Sequence, residues 1–322
     1  MLNTILNANL HPSLFGILLI IVSVGLCALL LALFKDKLPR DQGREFAFNG
    51  KLSAGKVRGA GILFVISFII VALLFVPVSI EYVIYYILLF FGMLSGYLDD
   101  KSDKPWSEYK KGAIDLVISA LTAANFVYFN QNLTSVSFFG FSFVIPPVVF
   151  GVIAMVLVWM LINATNCSDG IDGFCGSLTI VSLISIIAAG QLLAMDGNMN
   201  TLIIIMVLTL IPYLWRNAEP STMMMGDAGS RALGLFLCIA IFKTGNILLA
   251  VPLCFMLCLD GLLGIVKVSL IRFLKMKNAF KNIRTPLHDH FRKNKGWSNT
   301  QVIFRFCMIQ ALISAIAVIS MK

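Results

Sequence analysis

Long apolar runs separated by short polar linkers dominate the sequence. A transmembrane helix needs about 20 apolar residues. By that criterion the pattern predicts ten helices, roughly at 14–34, 59–79, 81–98, 112–129, 144–162, 173–194, 200–215, 229–243, 246–273 and 300–321. Residues 130–146 alternate serine, valine and phenylalanine around Gly140, which predicts a short hairpin at the outer interface. The ninth run is longer than a straight span requires, so we expect it to bend or break near Asp260-Gly261.

Composition places the whole chain in the membrane. Its 322 residues are 59% hydrophobic and 13% charged, whereas soluble domains carry about 25% charged residues. We therefore predict an all-α, polytopic membrane protein with one domain spanning residues 1–322. The seven cysteines are scattered, mostly inside apolar runs, without a disulfide framework or paired metal spacing.

Lysine and arginine mark alternate linkers. Basic residues lie in the linkers at 35–58, 101–111, 216–231 and 272–295, whereas the connections between helices two and three, four and five, and six and seven have none. Because cytoplasmic loops carry the excess of basic residues, ten helices put both termini outside. The linker at 163–172 is then cytoplasmic.

Acidic residues gather at three predicted cytoplasmic helix ends. These are Asp99 with Asp100, Asp169 with Asp172, and Asp227, with Asp103 as a further member. Carboxylates at the edge of a hydrocarbon core are costly and often functional. Oxygen-only ligands favour a hard cation, usually Mg2+ where phosphates are present. Asp227 fits a helix cap as well as a metal ligand, and the other groups also fit solvated helix ends or a capped turn.

Metal-linked carboxylates beside lysines predict a phosphorylated substrate, since metal and lysine together neutralise a phosphoryl group during displacement. The membrane setting suggests that one reactant is a lipid phosphate. His288-Asp289-His290 lies in the last basic linker. It suits hydrogen bonding or phosphate contact better than a metal site, and an ordinary polar loop is the alternative. Most linker lysines also fit topology signals and contacts with anionic lipid.

These motifs resemble the phospho-N-acetylmuramoyl-pentapeptide transferases (MraY), within the wider polyprenyl-phosphate N-acetylhexosamine-1-phosphate transferases. Three motifs are shared across the wider superfamily: Leu98-Asp-Asp100, Asn163-Ala-Thr-Asn166 through Asp169-Gly-Ile-Asp-Gly173, and Met225-Gly-Asp-Ala-Gly-Ser230. The narrower branch is indicated by Pro286-Leu-His-Asp-His-Phe291, Lys295-Gly-Trp-Ser298, Gly43-Arg-Glu-Phe, Gly50-Lys-Leu-Ser and Arg58-Gly-Ala-Gly61.

The resemblance implies a ten-helix fold with a cytoplasmic active site in the bacterial cytoplasmic membrane. It implies transfer of phospho-MurNAc-pentapeptide from UDP-MurNAc-pentapeptide to undecaprenyl phosphate, which releases UMP and forms lipid I for peptidoglycan synthesis. Mg2+ is the implied cofactor, and membrane lipid is a further partner. A homodimer is consistent with the family, and no nucleic-acid partner is expected.

The same resemblance implies roles for the carboxylates. Asp227 falls on the family's magnesium ligand. Asp99 and Asp100 fall on its essential pair, with Asp99 favoured as the base or lipid-phosphate activator. Asp169 falls on a third catalytic carboxylate, and Asp260 matches an acidic position that we expect to be supporting.

Substrate-binding positions follow in the same way. Lys111 falls on a phosphate-contacting lysine. Asn163 belongs to the amide and carboxylate loop. Asn166 and Asp172 fall near the nucleotide, and Asp172 suits recognition of uracil.

The sequence also departs from the family pattern. His288 and His290 match the outer members of a three-histidine motif, whose middle member is replaced here by Asp289. Met224 stands where relatives often have a ring that stacks on the nucleobase. Asp103 stands where they often have lysine.

Two other functions stay open at this level. A sibling enzyme would move a different sugar phosphate, such as N-acetylglucosamine-1-phosphate, although the histidine region argues against it. A secondary transporter would place ionisable residues at mid-membrane in paired, repeat-related helices. In this sequence only Asp260 and Lys267 are expected to lie deep.

Overall fold

The computed structural model describes residues 11–41, 43, 53–102, 104, 106–138, 141–276, 278 and 280–321. Those residues form twelve α-helices and one antiparallel hairpin. The helices are α1 (Pro12–Phe34), α2 (Gly61–Phe75), α3 (Ile80–Lys101), α4 (Glu108–Phe129), α5 (Pro147–Ser168), α6 (Phe174–Leu192), α7 (Gly197–Asn217), α8 (Gly226–Phe242), α9 (Ala250–Leu253), α10 (Phe255–Phe273), α11 (Leu287–Lys295) and α12 (Asn299–Ile319). The hairpin strands are β1 (Ser135–Phe138) and β2 (Phe141–Val144).

A helix occurs at every position where the apolar pattern predicts one. Within the described residues, seven helices are long and apolar enough to cross a membrane, or eight if the bent pair α9–α10 counts as one span. Helix α2 has 15 residues and α8 has 17, so both are short for a span. The all-α membrane architecture and the hairpin are confirmed. Ten spans, external termini and a cytoplasmic site remain predictions.

Helix α8 forms the centre of the bundle, and all 17 of its residues are buried. It packs against α2, α3, α4, α5 and α6. A helix that is buried all round needs an apolar surface on every side, which the run from Ala232 to Phe242 supplies. The polar start of this helix, which carries Asp227, is therefore held between its neighbours and away from lipid.

The ninth predicted helix is broken, as expected, but not at the expected residues. The segments Ile247–Leu253 and Phe255–Phe273 meet at 89°, and the break lies at Cys254, two residues after Pro252. The prediction of a bend near Asp260-Gly261 was wrong. Gly261 lies inside the continuous helix α10. Because it has no side chain, α10 can contact the backbone of Ala164 on α5 at this position. This glycine serves helix packing instead of bending.

A buried glutamine of α12 satisfies the backbone at the break. In hydrocarbon, backbone groups freed by a broken helix need a partner inside the protein. The Gln310 side chain accepts a hydrogen bond from Met256 N at 2.8 Å and donates one to Pro252 O at 3.0 Å. It also donates to Ser314 Oγ at 2.8 Å. One side chain therefore bridges both sides of the break.

We expect Gln310→Leu to lower the free energy of unfolding by about 1–3 kcal/mol, because it orphans buried backbone groups on both sides of the break. Unfolding of the purified protein in detergent measures this change. Ser314→Ala is the matched control, since it removes only the third contact of Gln310, and its effect should be smaller. Equal stability of the two variants would contradict the bridging role of Gln310.

Candidate active site

Glycines bring three helices together around the start of α8. A β-carbon on Gly61 would overlap the backbone of Gly229, and one on Gly96 would overlap the backbone carbonyl of Asp227. Helices α2 and α3 can therefore approach α8 at backbone distance. This contact places the acidic end of α3 beside the start of α8.

This packing leads to a prediction with a matched control. Gly61→Ala should lower the free energy of unfolding by about 1–3 kcal/mol, because the added methyl group forces backbone apart. Gly16→Ala, in α1, adds the same group where nothing lies within 4 Å, so it should cost nothing. Thermal unfolding in detergent compares the two, and a Gly61→Ala protein as stable as Gly16→Ala would rule out the close contact.

Asp99, at the end of α3, is held by a lysine and by the backbone. Lys111 Nζ lies 2.6 Å from Asp99 Oδ2, and Trp106 N donates to Asp99 Oδ1 at 2.8 Å. The side chain is 4% exposed. Both carboxylate oxygens therefore have a partner, and Lys111 is fixed at the start of α4.

Asp100 is more deeply enclosed, with a side chain that is 0% exposed. It accepts hydrogen bonds from Arg58 Nε at 2.8 Å and Ala228 N at 3.3 Å. Gly226 has φ +66° and packs directly on this carboxylate. Burial alone would lower the pKa of Arg58, but the carboxylates of Asp100, Asp227 and Asp41 outweigh it, so its pKa lies above the ordinary value. Asp100 thus ties a charged arginine to the start of α8.

Asp227 is the most accessible of the three carboxylates, with a side chain that is 12% exposed. Arg231 NH2 donates to its Oδ2 at 3.3 Å, and Lys111 Nζ lies 3.7 Å from the same oxygen. Arg58 NH2 lies 4.0 Å from Oδ1. Three cations on three different elements therefore surround a carboxylate that solvent can reach.

The end of α5 and the linker between α5 and α6 lie beside this cluster. Asn166 Nδ2 donates to Ser230 Oγ at 3.1 Å. Ser230 lies one turn after Asp227 in α8. Asn163 donates instead to Trp159 O at 2.8 Å within α5, and the half-buried Asp169 ends that helix. The structure therefore brings Asn166 to the carboxylate cluster and places Asn163 and Asp169 next to it along the chain.

Asp172 lies in a separate polar contact on the same linker. Lys56 Nζ lies 2.9 Å from Asp172 Oδ2 and 2.8 Å from Ser221 Oγ. The neighbouring Gly173 has φ +80°, and its N–H donates to Asn217 Oδ1 at 2.7 Å. These contacts fasten the linker to the segments at both sides of the site.

The two predicted histidines occupy different surroundings. His288 is 3% exposed. Its N–H donates to Asp260 Oδ1 at 2.6 Å, and its ring Nδ1 lies 2.8 Å from Asp260 Oδ2. The other ring nitrogen, Nε2, packs on Gly170, beside Asp169. His290 is half-buried and accepts from Arg284 N at 3.3 Å, so its contact serves the local loop.

Comparisons with known proteins show which family this chain belongs to. The model of glycosyl transferase family 4 matches residues 82–245, which hold Asp99, Asp100, Lys111 and Asp227. The phospho-N-acetylmuramoyl-pentapeptide-transferase of Treponema pallidum is 38% identical over 295 residues, which cover 86% of this chain and 81% of the relative. The chain belongs to the phospho-N-acetylmuramoyl-pentapeptide transferase family.

More distant members agree over most of the chain. The transferase of the same name from Desulfotalea psychrophila is 29% identical over 338 residues, covering 94% of this chain and 92% of the relative. The transferase of the same name from Kosmotoga olearia is 27% identical over 274 residues, covering 83% of this chain and 84% of the relative. The resemblance of the sequence motifs to this transferase family is therefore confirmed. Asp103 and the motif residues 44–46 and 50–52 lie outside the described residues.

The motifs did not reveal every charged residue of the site. Arg231 and Asp115 form a buried ion pair at 3.1 Å, next to Asp227. In the sequence, Arg231 counts only as a topology charge and Asp115 belongs to an apolar run. An acidic residue inside one apolar helix and a basic residue inside another are costly to bury alone. That cost was a signal that the two should be paired.

The donor set around Asp227 fits a magnesium ion that arrives with a phosphate ligand. The described residues contain no group of three or more His, Cys, Asp or Glu side chains that could hold a metal. Mg2+ is commonly bound by one or two carboxylates, with waters and substrate phosphates completing the shell. Asp227 offers such a carboxylate, and the neighbouring cations suit the anionic remainder of the shell.

Proposed function

We propose that this transferase moves phospho-MurNAc-pentapeptide from UDP-MurNAc-pentapeptide to undecaprenyl phosphate. UMP leaves, and lipid I forms. Family membership supports this reaction, since two relatives of this name cover most of the chain. The observation that carries it is the position of Lys111, whose Nζ lies 2.6 Å from Asp99 and 3.7 Å from Asp227. One cation thus links the two carboxylates that would serve the acceptor and the donor phosphates.

The proposed chemistry joins two anions, so positive charge must be supplied. Asp99 takes the proton of the lipid phosphate, and Lys111 stabilises the resulting anion. An oxygen of that phosphate attacks the sugar-linked phosphorus of the diphosphate. The bond between this phosphorus and the bridging oxygen breaks, and the bridging oxygen leaves with UMP. Lys111 and Arg58 neutralise charge on the transferred phosphoryl group, which is the main way proteins accelerate such transfers.

Asp227 is the residue that would hold Mg2+. When bound, the ion would polarise the diphosphate oxygens and neutralise the charge that develops on the leaving group. The enclosed Asp100 has a positioning role, since it holds Arg58 and the start of α8.

The end of α5 and the linker that follows it would bind the nucleotide half of the substrate. Asn166 faces the cluster, and Asn163 and Asp169 flank it. Asp172 would recognise uracil by exchanging its Lys56 contact for the base. His288 reaches the same linker through Gly170, and His290 supports its loop. We also propose that the site lies in the bacterial cytoplasmic membrane and faces the cytoplasm, and that the enzyme is a homodimer.

The test uses purified protein in detergent with UDP-MurNAc-pentapeptide, undecaprenyl phosphate and Mg2+. We expect UMP release that requires the lipid, produces a lipid-linked sugar and stops when a chelator is added. Turnover with UDP-N-acetylglucosamine in place of the muramoyl substrate would assign the chain to the sibling reaction. If neither sugar nucleotide releases UMP and proteoliposomes take up a substrate, the result would favour a transporter.

A further inference from the structure

Four charged side chains of alternating sign, two on α4 and two on α8, form a square at the proposed site. Lys111 and Asp115 lie one turn apart on α4, and Asp227 and Arg231 lie one turn apart on α8. Each charge faces its opposite on the other helix, with Lys111 3.7 Å from Asp227 and Arg231 3.1 Å from Asp115. Because residues four apart share one helix face, this pairing sets the register of the two helices.

The Arg231–Asp115 pair of the square is deeply buried, with side chains that are 3% and 4% exposed. Desolvation of two charges costs as much as their attraction returns, and well-packed apolar residues are often equally stable there. Within the described residues, Arg231 Nε has no hydrogen-bond partner. Stability alone therefore does not account for this arginine, and its two carboxylate contacts point to another role.

We infer that Arg231, anchored by Asp115, is a positioning residue for Asp227. This inference rests on the proposed function, because it concerns how Asp227 is presented to its ligands. The planar guanidinium donates NH1 to Asp115 Oδ1 at 3.1 Å and NH2 to Asp227 Oδ2 at 3.3 Å. A rigid fork held at both ends fixes the rotation of the carboxylate it contacts.

The consequence is that Asp227, which the Asn166 side chain also contacts, is held by its cations mainly at one oxygen, so that the other would face a divalent cation. Arg231 and Lys111 both lie at Oδ2, whereas Oδ1 lies 4.0 Å from Arg58 NH2, beyond hydrogen-bond distance. Residues that hold a metal-binding carboxylate in place are typically worth about 10–100-fold in metal affinity or activity. Arg231 and Asp115 should therefore set both the cation affinity of the site and its turnover number.

The decisive variant replaces both partners, Asp115→Leu with Arg231→Leu, because an apolar pair should leave the fold as stable as before. We expect its thermal midpoint to match or exceed that of the parent protein. We expect kcat for UMP release to fall about 10–100-fold and the Mg2+ concentration for half-maximal rate to rise by a similar factor. KM for UDP-MurNAc-pentapeptide should stay within about twofold, as it does when ground-state binding is unchanged.

A measurement without turnover separates this inference from the proposed reaction. Mn2+ binding, followed by electron paramagnetic resonance, should weaken about 10–100-fold in the double variant. Arg231→Lys should fail to preserve either readout, because an ammonium on a flexible stem cannot fix the rotation of the Asp227 carboxylate as a planar guanidinium held at both ends does. Glu81→Gln is the matched control. It alters the buried Glu81–Lys243 pair at the other end of α8, and it should leave kcat and Mn2+ affinity unchanged.

The outcomes divide clearly. A double variant that folds and keeps parental kcat and Mn2+ affinity would overturn the role of Arg231. An inactive parent protein would overturn the proposed reaction instead, and the Mn2+ comparison would still decide the inference. Should the double variant not fold, Arg231→Gln removes the fork that joins the two carboxylates and keeps a polar group that can donate to Asp115. Unchanged Mn2+ affinity in that variant would equally overturn the inference.

Discussion

Replacing Asp227 by asparagine should reduce kcat for UMP release at least about a hundredfold, the usual effect of removing one group that stabilises transition-state charge. The change keeps the size of the side chain and removes one negative charge. Arg231, Lys111 and Arg58 lie within 4.0 Å of this carboxylate, so three cations would lose their common partner. The site would also lose the carboxylate proposed to bind Mg2+.

The measurement is UMP release at saturating concentrations of both substrates, with thermal unfolding in parallel. Asp36→Asn is the matched control, since it makes the same change in an exposed pair with Arg40, where the Asp36 side chain is 70% exposed. Exposed pairs contribute about 0–1 kcal/mol, so the control should behave as the parent protein does. An Asp227→Asn enzyme that keeps parental kcat would place the essential carboxylate elsewhere.

Much of the site follows from local sequence, because its carboxylates mark helix ends. Asp99 and Asp100 end α3, and Asp227 begins α8, so short motifs locate them without any knowledge of packing. The apolar runs likewise predict every long helix, since a span must satisfy its backbone internally. What these patterns could not give is the pairing between distant charges. Arg231 and Asp115 show this, since their partnership depends on the register of α4 against α8.

A criterion based on long apolar runs misses one helix and the position of one break. Helix α11 is short and polar, with three basic residues in its last turn, so it reads as part of a basic linker. The break at Cys254 is compensated by Gln310, which lies on another helix. Gly261 misled the prediction because a glycine in a helix can serve either a bend or a close contact. Only the position of Ala164 distinguishes the two.

Asp260→Asn should be among the most damaging single changes to the fold near the site. The carboxylate is 0% exposed and receives both the backbone N–H and the ring Nδ1 of His288, at 2.6 and 2.8 Å. Hydrogen bonds to a charged group contribute about 1.5–3 kcal/mol each. An asparagine keeps one acceptor oxygen for the His288 N–H and turns its NH2 group toward Nδ1, which forces the ring into the tautomer protonated at Nε2. We expect a loss of unfolding free energy of about 1.5–3 kcal/mol.

The same change should affect turnover through the linker, because His288 Nε2 packs on Gly170 beside Asp169. We expect kcat to fall about 10–100-fold, as when the partner that orients a functional histidine is altered. Asp36→Asn is again the matched control, since the Asp36 side chain is 70% exposed beside Arg40, and it should cost no more than about 1 kcal/mol. If the two variants unfold and turn over alike, Asp260 does not hold His288 in its working position. The histidine would then owe its place to the Phe174 ring, which lies 5.6 Å from it.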